Sequence, residues 1–130
     1  MVQIDIISNI MSAISNAEAV RKKEVIIHPA SKFALEILKI MKREGYIKDF
    51  QLIEDGRGNK IRIELSGKIN KCRAIKPRFP VKKTEILEYA KHFLPSRDIG
   101  ILIISTPKGV KTHQECLNEG LGGVLVAYVY

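Results

Sequence analysis

From Ile47 to Ser66 the chain is built to double back on itself. Two runs, Ile47–Glu54 and Lys60–Ser66, flank Asp55-Gly56-Arg57-Gly58-Asn59, a hairpin turn by its residue types. The second run alternates cleanly. Ile61, Ile63 and Leu65 point one way, and Lys60, Arg62 and Glu64 point the other. A period of two gives a sheet with one face in the core and one in water.

Upstream of the hairpin, Ile7, Ile10, Met11, Ile14 and Ala17 recur at helical spacing, with Asp5 placed to cap the helix they predict. Val25-Ile26-Ile27 reads as a short strand ended by Pro29. Ser31 suits the N-cap of a second helix that is apolar on a broad face: Ala34, Leu35, Leu38 and Met41, with Phe33, Ile37 and Ile40. Gly45 is its expected left-handed stop. The first half therefore reads αβαββ and ends near Gly67.

Residues 68–83 read as a basic connector with a short strand at Arg73–Ile75. Thr84 is expected to cap a helix running to about Phe93, closed by Pro95. Ile99–Ile104 reads as a buried strand and Ser105–Gly109 as a loop. Thr112 and Glu115 have capping-box spacing and open a short helix that ends at Gly120. Gly122-Gly123 is expected to turn tightly into a last strand, Val124–Tyr130. The expected fold class is α/β of the α+β kind. It comprises two small mixed domains, residues 1–67 and 68–130, the second strand-rich with short helices.

The charge is local. The chain carries +8, and the tract Arg57–Lys83 holds ten cations against the single acid Glu64. That tract carries a net +9, so the remainder sums to −1. Ile69, Ile75, Pro77, Phe79 and Pro80 are interleaved with the cations, as apolar anchors for a fixed phosphate-contacting surface. The prolines exclude a basic amphipathic membrane helix here. No apolar stretch approaches a membrane span, and Met1–Asp5 lacks the basic start of a signal peptide. Two isolated cysteines, Cys72 and Cys116, in a chain that is 45% hydrophobic point to a reducing, cytoplasmic setting.

Catalytic patterns are weak. His113 and Cys116 stand three apart near Ser105 and Thr106, so a small hydrolase is conceivable, but no G-x-S-x-G elbow is present. Cys72, Cys116 and His113 lack paired zinc-ligand spacing. The glycines at 56 and 58 lie in a hairpin, outside any dinucleotide or P-loop context. Ser105–Gly109 offers two hydroxyls, a cation and a glycine, which suit phosphate oxygens or base edges and equally suit an ordinary turn. Gly122-Gly123 is a tight turn or an opening for a nucleic-acid backbone. With Phe and Tyr totalling eight and no Trp, structured RNA is a better target than stacked single strands.

The string Ser105-Thr106-Pro107-Lys108-Gly109-Val110, then Gly120-Leu121-Gly122-Gly123 and Ala127-Tyr128-Val129-Tyr130, resembles the carboxy-terminal signature of the eighth small-subunit ribosomal protein family. Pro29-Ala30-Ser31-Lys32, and Asp5 with Asn16-Ala17, resemble that family's amino-terminal half. Lys68–Phe79 with its leading Gly67 is similar to the archaeal and eukaryotic branch. The resemblance implies a two-domain, non-enzymatic protein without cofactor or metal. It implies binding to an irregular helix of the central domain of small-subunit (16S-type) rRNA during early assembly. Neighbouring small-subunit ribosomal proteins are the implied protein partners, with a monomer when free and no membrane. By position it places Ser105, Thr106, Pro107, Lys108 and Gly109 against the RNA helix, with Gly122 and Gly123 beside them and Ser31 and Lys32 as a second contact. Lys71, Lys76 and Arg78 of the connector are expected to neutralise phosphates. Pro107 stands where bacterial relatives carry a hydroxyl, Ala13 and Ser15 stand where they carry arginines, and Val124 replaces a glutamate. A general RNA-duplex chaperone using only the basic connector is the competing expectation.

Overall fold

The computed structural model describes residues 6–28, 31–75, 78–96 and 99–130. It divides into two units, one ending at Cys72 and one spanning Arg73–Tyr130. The reading of the sequence placed that division after Gly67. Among the described residues, four helices and two antiparallel sheets make a mixed α/β fold.

In the first unit the order is α1 (Ile6–Ala19), β1 (Glu24–Ile27), α2 (Lys32–Arg43), β2 (Ile47–Ile53) and β3 (Lys60–Leu65). The strands lie in the order β1-β3-β2, all pairs antiparallel. The α1 stripe Ile7, Ile10, Met11, Ile14 and Ala17 is buried. So are Ala34, Ile37, Leu38, Ile40 and Met41 of α2, and Ile61, Ile63 and Leu65 of β3. Each large aliphatic side chain removed from water in this way contributes about 1.5–3 kcal/mol. The Ser31 hydroxyl accepts the Ala34 N–H at 3.1 Å and caps α2. The expected Asp5 cap and the Pro29 stop lie outside the described residues.

Both helices end in the same way. At the end of α2 the Gly45 N–H bonds to Lys42 O and the Tyr46 N–H to Met41 O, with Gly45 at φ +83°. This is a Schellman stop, whose left-handed residue is usually glycine. At the end of α1 the same pair of bonds runs from Arg21 to Glu18 and from Lys22 to Ala17. Here the left-handed residue is Arg21, at φ +58°.

In the β2–β3 hairpin, Asp55 Oδ1 accepts the N–H groups of Arg57 and Asn59 at 2.8 and 3.0 Å. The Arg57 amide above all holds the Asp55 carboxyl below its usual pKa. On the wet face of β3, Arg62 pairs with Glu24 (2.9 Å) and Glu64 (3.5 Å).

In the second unit a sheet runs β4-β8-β6-β7, with β5 also on β8. Its elements are β4 (Cys72–Ala74, beginning at the boundary), β5 (Pro80–Val81), α3 (Ile86–Phe93), β6 (Ile101–Thr106), β7 (Gly109–Thr112), α4 (His113–Glu119) and β8 (Gly123–Val129). Ile86 and Ala90 of α3 and Cys116 of α4 close a core against Leu102, Ile104, Leu125 and Tyr128.

Four expectations are corrected in this unit. Thr84 does not cap α3: the N-cap is Glu85, whose side chain makes no capping bond there and instead accepts the Lys82 N–H at 2.8 Å. The strand expected from Ile99 begins at Ile101, because Ile99 is 55% exposed and Gly100 bends the chain at φ +90°. Ser105–Gly109 is not a free loop, since all but Pro107 and Lys108 lie in the β6–β7 ladder. Gly122 and Gly123 form no tight turn: neither has a positive φ, and Gly123 already belongs to β8.

Candidate nucleic-acid interface

Strand β6 lies between β8 and β7, so whatever stands at its end is framed on both sides. Ser105 pairs with Val110 of β7 and Val124 of β8, and Val124 pairs in turn with Pro80 of β5. Directly opposed residues in antiparallel strands point to the same face. Pro80, Val124, Ser105 and Val110 thus form one row across four strands, on the face opposite the Ile104–Leu125 pair of the core. Ser105 and Val124 are half-buried, and the Ser105 hydroxyl makes no side-chain hydrogen bond among the described residues.

The glycine pair is explained by approach to neighbouring backbone. A Cβ on Gly123 would strike the Ser105 carbonyl oxygen and stand 2.8 Å from Ile104 Cγ2. A Cβ on Gly122 would stand 2.7 Å from the Val81 carbonyl oxygen and 3.3 Å from the Lys82 Cα. These glycines let β8 start flush between β5 and β6.

The β6–β7 turn is internally tied. The Thr106 hydroxyl donates to Gly109 O at 2.7 Å and accepts the Lys108 N–H at 3.2 Å. Pro107 has no N–H and that of Lys108 is occupied, so neither tip residue offers a free backbone donor. Thr106 is buried, and its hydroxyl is bonded within the turn that it shapes. What the turn presents is the exposed Pro107 ring and the exposed Lys108 side chain.

Three distant segments therefore converge at one end of this sheet: the β6–β7 turn, Gly122-Gly123, and the chain leaving β5. That last segment carries Lys82 and Lys83, both exposed. Neither these lysines nor Lys108 has an ion-pair partner among the described residues. Lys111, by contrast, is held by Glu119 at 3.1 Å. Sequence reasoning counted Lys82 and Lys83 in the basic tract but not in the site, because only the pairing of β5 on β8 brings them there.

The remaining expected residues are dispersed. In the first unit, Lys32 is exposed at the start of α2, while the Ser31 oxygen is already occupied as the cap. Lys71 is half-buried in the first unit and Arg78 is exposed in the second. Lys76 lies outside the described residues.

The chemistry expected of a hydrolase finds no support in the geometry. His113 is buried, and its Nδ1 accepts the Leu102 N–H at 3.1 Å. Burial, reinforced by Glu115, pushes the Cys116 thiol up to about 11, which disfavours the thiolate a nucleophile would need. Burial and Glu18 push Cys72 up to about 12, and its thiol donates to Met11 O at 3.4 Å. No group of three or more His, Cys, Asp or Glu side chains suited to a metal occurs among the described residues. Nor is any helix among them long and apolar enough to cross a membrane.

Comparison with known proteins agrees in all parts of the chain. The chain is 51% identical over 133 residues to the small ribosomal subunit protein uS8 of Desulfurococcus amylolyticus, with the whole of both chains covered. A family profile described as ribosomal protein S8 matches residues 5–130. The chain belongs to the ribosomal protein S8 family.

Proposed function

We propose that this protein binds directly to an irregular helix in the central domain of small-subunit rRNA and supports early assembly of that subunit. As a member of the ribosomal protein S8 family it is a structural constituent of the small ribosomal subunit, in a family that is not a family of enzymes. It works in the cytoplasm, on the ribosome, beside neighbouring small-subunit proteins.

The observation that carries the reading is the convergence at the end of the second sheet. A half-buried hydroxyl, two side-chain-free residues and three lysines with no ion-pair partner among the described residues meet there within one paired framework. Lysines neutralise phosphates and set salt-dependent affinity without reading sequence. The Ser105 hydroxyl and the bare backbone at Gly122-Gly123 suit a sugar or base edge brought close. Ser31 and Lys32 supply a second contact, and Lys71, Lys76 and Arg78 add phosphate neutralisation.

A titration at two salt concentrations tests this. It compares a central-domain rRNA fragment with a hairpin of equal length whose internal loop is scrambled. Binding to the fragment should outlast the salt increase while the scrambled hairpin falls away. Ser105→Ala should cost about 1–3 kcal/mol on the fragment alone, and Lys108→Gln should weaken both RNAs alike. Equal, steeply salt-sensitive binding to both RNAs would reduce the role to that of a general duplex chaperone and end the proposal.

A further inference from the structure

At the three helix ends among the described residues where a left-handed residue follows the last turn, α2 uses Gly45 and α4 uses Gly120. Helix α1 uses Arg21. Non-glycine residues rarely take this conformation, and an outlier retained where glycine would serve points to a use for the side chain.

Arg21 opens a run of three exposed cations, Arg21-Lys22-Lys23, that leads into β1. The run borders two open clefts of about 420 and 570 Å³ at the end of β3, where Leu65 and Ser66 form the shared floor and Lys48 adds a fourth cation. Acids also line these clefts, but each is engaged. Glu18 accepts the Ile69 N–H at 3.1 Å, and Glu24 and Glu64 both hold Arg62. Arg21, Lys22, Lys23 and Lys48 have no side-chain partner among the described residues.

We infer that the turn between α1 and β1, with Lys48, is a separate phosphate-contacting surface that grips the backbone of an RNA helix. It deepens the proposed rRNA binding and rests on it for the identity of the RNA. The cations are clustered and have no side-chain partner among the described residues, and their acidic neighbours are engaged by other groups, which suits repeated phosphates. The clefts carry no aromatic side chain, so base stacking is not their mode.

The test uses the full chain with the central-domain fragment and with a plain RNA duplex. Replacing Arg21, Lys22, Lys23 and Lys48 together by Gln should lower affinity at least tenfold at low salt. It should also flatten the slope of log affinity against log salt by about 3.6, near 0.9 for each of the four lost phosphate contacts. The effect should appear on both RNAs, with the preference for the fragment unchanged. Lys39→Gln with Lys91→Gln, exposed cations outside this turn, should leave the slope unaltered. Arg21→Gly supplies a readout that a structural role would not give: thermal stability should rise while the slope falls by about 1.

An unchanged slope in the fourfold variant overturns the inference, as does a slope set only by net charge, with the Lys39/Lys91 control flattened in proportion. If the wild type binds plain duplex and fragment equally, the site-specific reading fails while the slope still decides on this surface. A variant that loses an acidic protein partner while its RNA binding is intact would assign the turn to protein docking instead.

Discussion

Gly123 has a neighbour where a side chain would begin. Its place against the Ser105 carbonyl and Ile104 follows from the pairing of β8 with β6, strands far apart in the chain. Gly120 is a different case: its surroundings are open, and only its φ of +68° favours glycine. The two positions should therefore respond differently to the same change. Gly123→Ala should lower stability by about 2–3 kcal/mol through overpacking against backbone, whereas Gly120→Ala should cost about 1 kcal/mol through strain. Urea unfolding followed by circular dichroism measures both, and equal losses would contradict this division. From sequence, Gly122-Gly123 reads as a turn because glycine's local meaning is conformational freedom. A close approach across strands leaves no local mark. Thr106 shows the same limit, since a hydroxyl tied into its own turn and one aimed at a ligand are the same letters.

Between β6 and α4 the pairing runs Thr106–Gly109, Ser105–Val110, Ile104–Lys111 and Ile103–Thr112. The next position on β6, Leu102, falls opposite His113, where the backbone has turned into α4. There the imidazole Nδ1 accepts the Leu102 N–H that a further strand residue would have taken. His113 thus extends the ladder with a side chain, and its neutral tautomer is the one that serves. His113→Leu should leave a buried N–H without its acceptor and cost about 1–3 kcal/mol. Hydrogen exchange at the Leu102 amide should accelerate in that variant with little change at Ile104. Unaltered protection would show that the histidine only fills space.

The opening of α4 was legible because a capping box lies within four residues, and both of its bonds form here, Thr112 from Glu115 N–H at 3.2 Å and Glu115 from Thr112 N–H at 3.2 Å. The stripes of α1 and α2 were legible for the same reason: helical burial repeats within a few residues. Strand β7 was not, since Gly109–Thr112 is too short to show alternation. Strand β5, two residues long, exists only because β8 lies beside it.

Across the whole chain, the +9 tract Arg57–Lys83 is one block in sequence but several places in the fold. Arg57 stands in the β2–β3 hairpin, Arg62 is committed to Glu24 and Glu64, and Lys82 and Lys83 stand at the end of the second sheet. Counting charge identifies a polyanionic partner. It does not reveal which cations are free to meet it, because acids such as Glu24 that cancel them come from other strands. The family signature located the β6–β7 turn and the glycine pair, and the fold adds the lysines after β5 that share their end of the sheet.

The most direct measurement of the central claim is an amide chemical-shift titration of the full-length, nitrogen-15-labelled protein with the central-domain rRNA fragment. In the second unit, Ser105, Lys108, Gly109, Gly122, Gly123, Lys82 and Lys83 should shift together and saturate at one equivalent of RNA. In the first unit, the Asp55–Asn59 turn should stay where it is. Shifts spread evenly over exposed lysines, with Ser105, Gly122 and Gly123 unmoved, would contradict a specific interface at the end of the second sheet.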